Sequence, residues 1–103
     1  MGLAMIKAVV RFYGPRVSSQ RLMDEAPPAK YHSFFLVATP MKHTKNGGVA
    51  SILPLTTDSA SISGIESHVP VLEGGEEAAY SKALEALRGN EALSGLEMDE
   101  QRE

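Results

Sequence analysis

Hydrophobic and polar positions alternate strictly from Met5 to Tyr13. Ile6, Ala8, Val10 and Phe12 fall on one side, and Met5, Lys7, Val9, Arg11 and Tyr13 on the other. A period of two predicts a strand with one buried face. Gly14-Pro15 ends it, because proline has no N–H to give to a ladder. Tyr31 to Thr39 predicts a second strand, apolar on both sides: Phe34, Leu36 and Ala38 one way, Phe35 and Val37 the other. Such a strand is central in its sheet or covered twice, and a second subunit is one possible cover.

Asn46-Gly47 suits a two-residue type I′ turn, which needs positive φ at both central positions. It would send Val49–Leu55 back along the second strand, with Val49, Ser51, Leu53 and Leu55 on one face. Pro54 implies that this strand is partly at an edge or bulged. Thr56-Thr57-Asp58-Ser59 reads as a turn. Ser59, Ser61 and Ser63 then alternate with Ala60, Ile62 and Gly64, the pattern of a strand with a wet serine face, and a short strand is expected over Ser67–Leu72.

The period changes after Gly74-Gly75. Tyr80, Ala83, Leu84 and Leu87 form an i, i+3, i+4, i+7 stripe, which predicts a helix over Glu76–Arg88. Glu76 and Glu77 suit its positive start, Arg88 its negative end, and Gly89 a left-handed C′ position. A further short turn is expected over Asn90–Leu96, and a short helix over Gln20–Glu25 capped by Ser18 or Ser19. The fold class expected is α+β: an antiparallel sheet of four to five strands with one C-terminal helix packed on a face and an acidic C-terminal tail. Residues 1–96 form the single domain, and 97–103, with four acids and one arginine, a frayed, flexible tail.

Charge sharpens this picture. Seven basic and two acidic residues lie between Lys7 and Lys45; three basic and eleven acidic residues follow from Asn46. The net charge of −3 hides that division. The basic half also holds five of the six aromatics. Cations meet phosphates and aromatic rings stack on bases, so Lys7, Arg11, Tyr13, Arg16, Arg21, Lys30 and Tyr31 make a candidate surface for a partner or for nucleic acid. The plainer reading makes the phenylalanines core and the basic residues a solvated face. No RRM motif supports nucleic-acid binding: Lys30-Tyr31-His32-Ser33-Phe34 lacks the required glycine, and no GXXG loop exists.

The remaining chemistry is sparse. With no cysteine, disulfides and thiolate nucleophiles are excluded. His32, His43 and His68 do not fall at i, i+4 metal-binding spacing. Ser61-Ile62-Ser63-Gly64 lacks the first glycine of a nucleophile elbow. Gly74-Gly75 is flanked by Glu73, Glu76 and Glu77, which repel phosphate. No cofactor or metal is expected. The longest apolar run, Phe34–Ala38, is far short of a membrane span. With no basic, apolar leader at the N-terminus, the expected location is cytoplasmic.

The leading expectation is a small interaction or binding module without a catalytic motif that forms a homo-oligomer. One alternative is nucleic-acid binding by the basic half. A second is an enzyme with a site at a subunit interface, drawn from His32, His43, His68, Asp58, Glu66 and Tyr31.

Overall fold

The computed structural model describes residues 5–14 and 30–103. Strands β1 (Ile6–Gly14), β2 (Lys30–Pro40) and β3 (Gly48–Pro54) come first. A one-turn helix α1 (Thr57–Ala60), strand β4 (His68–Val71), helix α2 (Gly75–Arg88) and strand β5 (Glu97–Arg102) follow. They build one five-stranded sheet in the order β4-β3-β2-β1-β5. Every neighbouring pair is antiparallel. The chain meanders from β1 to β4, crosses one face as α2, and adds β5 outside β1. The α+β architecture and the central place of β2 are those the hydrophobic pattern implies.

Core residues occupy alternate positions on one face of the sheet: Ala8, Val10 and Phe12 of β1, Phe34, Leu36 and Ala38 of β2, Ala50 and Ile52 of β3, and Val69 of β4. Ala79, Tyr80, Ala83 and Leu87 of α2 close over them, with Leu93 from the turns after the helix. Phe12 and Phe34 meet edge to face, with centroids 6.2 Å apart, as diagonal neighbours on adjacent strands. Burying side chains of this size contributes about 1.5–3 kcal/mol each.

Four sequence expectations need correction. First, Glu97–Arg102 is strand β5, in register with Ala8–Tyr13 of β1, and not a frayed tail. Its charge marked it as solvated, yet an edge strand tolerates charge on its solvent side. Second, Asn46-Gly47 does not make a two-residue turn. Pro40 pairs with Gly48, and Met41–Gly47 all lie in the connection. Gly47 is not among the positive-φ glycines. Close approach explains the glycines instead: a Cβ on Gly47 would lie 2.9 Å from the Val71 carbonyl oxygen, and one on Gly48 would collide with the backbone of Gly75. Gly75 donates its N–H to the Asn46 carbonyl at 2.9 Å, so this loop docks on the start of α2.

Third, the alternating serines do not form a strand. Ser59 ends up buried in α1, whose Thr56 cap accepts the Ser59 N–H at 3.0 Å. Fourth, Gly89 caps α2 with φ −83°, and two left-handed glycines, Gly74 and Gly75, stand at the helix start instead. Pro54 fits as expected. The Ile52 N–H points toward β4, where it donates to Ser67, and by alternation the nitrogen of Pro54 points the same way, past the end of β4. The Gln20–Glu25 helix lies outside the described residues.

Candidate functional site

Helix α2 covers one face of the sheet; on the other, Ser33 is buried near α1, and no described element covers the row centred on Phe35. The register lays that open face out as a grid. Leu53, Phe35 and Val9 fall in one row across β3, β2 and β1. The next row toward the β2–β3 connection holds Ser51, Val37 and Lys7. In the opposite direction Ser33 stands beside Arg11, then Tyr31 beside Tyr13. Strand β5 closes one side with Gln101 opposite Val9, Asp99 opposite Arg11 and Glu97 opposite Tyr13. On the other side β4 brings His68 opposite Ser51 and Pro70 opposite Val49. The apolar centre is not sealed within this chain: Leu53 is 49% exposed, Leu55 52% and Tyr31 44%. Phe35, Val37, Val9 and Val49 are half-buried.

This arrangement separates the candidate residues. Lys7, Arg11, Tyr13 and Tyr31 share the open face. Lys30 opens β2 opposite Gly14, while Arg16 and Arg21 lie outside the described residues. Lys42 and Lys45 sit in the β2–β3 connection. Arg11 is already engaged from β5: its guanidinium lies 3.8 Å from the Asp99 carboxylate and donates to Gln101 Oε1 at 3.3 Å. The basic strand therefore meets the acidic C-terminus inside the fold. That pairing was invisible in the sequence because β1 and β5 stand at opposite ends of it.

The residues weighed for metal binding or catalysis do not converge. His32 lies on the helix face, opposite Phe12, and its Nδ1 is buried without a hydrogen-bond partner among the described residues. His68 lies on the open face of β4, with Ser67 Oγ 3.3 Å from its Nδ1. His43 is exposed in the β2–β3 connection, Asp58 is in α1, and Glu66 is exposed before β4. Among the described residues, no three histidine or acidic side chains cluster as a metal site would require. Among the described residues, no helix is long and apolar enough to cross a membrane.

A second cluster, beneath the helix, was not foreseen. Tyr80 is fully buried and its hydroxyl donates to Glu100 of β5. The Arg102 guanidinium stacks 4.3 Å from the Tyr80 ring centroid, and reaches Glu77 at 3.4 Å and Glu100 at 3.6 Å. Burial first, and then the hydrogen bond to Glu100, push the Tyr80 phenol up to about 12. These contacts fasten β5 to α2, and the sequence pattern showed only that Tyr80 belonged to the helix stripe. Known protein families, curated proteins and solved structures contain no match to this chain.

Proposed function

We propose that this chain is a non-catalytic interaction module that works as a homo-oligomer, with a second copy covering the open face of its sheet. The observation that carries this reading is the apolar row Leu53–Phe35–Val9, with Leu53 exposed and Phe35 and Val9 half-buried, which no described element covers. Strands about 4.8 Å apart, rising about 3.3 Å per residue, give that face a projected area of roughly 500 Å². Two such faces together come to about 1,000 Å², the lower limit for a specific interface.

The sheet edges argue for face contact over edge pairing. On β4, Ser67 bonds toward β3, so by alternation His68 and Pro70 turn their backbone outward, and Pro70 has no N–H to offer. Strand β5 carries Glu97, Asp99 and Glu100 along the other edge. Proline and charge on edge strands are the usual guards against open-ended pairing.

The nucleic-acid reading has less support. The acids of β5 share the face with Tyr13 and Arg11, and Asp99 holds the guanidinium that a phosphate would need. Light scattering with dilution to low micromolar tests the proposal, and a dimer that persists is the expected result. A monomer throughout would overturn it, and salt-sensitive binding of single-stranded RNA by that monomer would put the nucleic-acid reading in its place.

A further inference from the structure

We infer that the second copy stacks face to face about a two-fold axis running along β2, an orientation that rests on the self-association proposed above. Two sheets packed with aligned strands lie about 10 Å apart, and a closed two-fold contact uses the same patch on both copies. For this face there are two simple axes, one across the strands and one along them. The charge columns decide between them.

An axis across the strands, through the row Leu53–Phe35–Val9, lays each strand on its own copy in reverse. Strand β5 then covers β5, with Asp99 over the Glu103 end of the other copy, and β1 covers β1, with Arg11 over Lys7. Both columns meet like charge, a repulsion that the Arg11–Asp99 pair within each copy offsets only in part. An axis along β2 keeps the rows and exchanges the sides. Phe35 meets Phe35, Val37 meets Val37, and Val9 covers Leu53 of the other copy. Lys7 then faces Ser51. The acids of β5 fall on the side of β4, whose backbone runs beside β3 as far as Ser67, the acceptor of the Ile52 N–H. Asp99 and Glu97 stand further along, beyond that end. Both axes cover the apolar centre, but this one lays Arg11 over Leu55 of the other copy instead of over Lys7, and stacks no cation of β1 on another.

Single cysteines test the orientation, because the chain has none of its own. Thr39 lies on β2, close to the lengthwise axis, and Gln101 lies on the outer strand β5. Along the β2 axis, a pair of Thr39→Cys thiols is about one sheet spacing apart, roughly 10 Å. A pair of Gln101→Cys thiols is separated by about four further strand spacings, roughly 19 Å sideways. The crosswise axis reverses this, bringing Gln101 over its own copy and carrying Thr39 away. Each variant is first shown to be dimeric by light scattering, then treated with a short bismaleimide. The expected result is at least tenfold more covalent dimer from Thr39→Cys than from Gln101→Cys. Cross-linking of Gln101→Cys, or failure of a dimeric Thr39→Cys to link, overturns the orientation and leaves self-association standing. A monomeric wild-type chain is a separate result, and removes the reading beneath it.

Discussion

At the scale of single residues, the polar contacts that matter most join distant parts of the chain. Strand β3 ends at Pro54, and the backbone of Ser33 is met by residues beyond it. Leu55 donates its N–H to the Ser33 carbonyl at 2.8 Å, and Ser59 Oγ accepts the Ser33 N–H at 2.9 Å. A buried N–H left alone costs about 1–3 kcal/mol. Ser59→Ala should therefore lower stability by about that amount in urea unfolding, whereas Ser61→Ala, at an exposed hydroxyl, should change it little. The difference between these two serines was not legible in the sequence, because their alternating pattern is local and the partner of Ser59 lies 26 residues away. Tyr80 gives a second prediction. Its raised titration point, about 12, means that the fold favours the protonated phenol. The unfolded chain ionises near pH 10, so this contribution is complete below about pH 10 and is lost as pH rises toward 12. Denaturant midpoints measured across that range should fall more steeply for the wild type than for Tyr80→Phe, which has no phenol to ionise. Equal slopes would show that Tyr80 does not carry the alkaline loss.

At the scale of elements, β5 is the test of how the fold closes. It pairs with β1 along Ala8–Tyr13, and Arg102 and Glu100 tie it to Tyr80. Removing residues 97–103 would leave β1 as a bare edge and uncover the Tyr80 ring. The truncated chain should lose several kcal/mol of stability and gain a tendency to aggregate, because its edge would be the longer, mostly apolar β1, with Lys7 and Arg11 as its charges. Thermal unfolding and turbidity would measure both effects. A fully solvated tail would be removable at no cost to either. Hydrophobic periodicity made β1, β2 and α2 legible, since each buries a regular face against the same core. It could not reveal β5, where Met98 is the one apolar side chain and stability comes from the ladder and from Arg11 and Tyr80 elsewhere in the chain. Nor could it give the length of the β2–β3 connection. Asn46 and Gly47 answer to the docking of α2, through the Asn46–Gly75 hydrogen bond, and not to local turn geometry.

At the scale of the whole molecule, the question is which exposed leucine matters. Leu72 is the most exposed large hydrophobic residue described, at 72%, ahead of Leu53 at 49%. Exposure alone would make Leu72 the better candidate for a contact. Position says otherwise. Leu72 lies past the end of β4, in a surface groove beside Glu73 and Lys82 of α2, whereas Leu53 sits in the row with Phe35 and Val9 at the centre of the open face. The sequence held part of this, since Phe35 and Val37 already marked β2 as apolar on both sides. It did not show that the acidic end of the chain would border the same face and restrict how a second copy approaches. Leu53→Lys adds no buried charge to an isolated chain, so the fold should survive with unchanged circular dichroism. In a two-fold assembly the lysine enters the interface twice. Leu53 is 49% exposed in the single chain, so each copy loses about half a leucine burial, and the two together, about 1.5–3 kcal/mol, correspond to association weaker by about tenfold to about a hundredfold. Sedimentation velocity over a dilution series should then show Leu53→Lys as a monomer and Leu72→Lys as wild type. If Leu72→Lys dissociates the assembly and Leu53→Lys does not, the contact belongs to the groove beside β4 and the open face is free for a different partner.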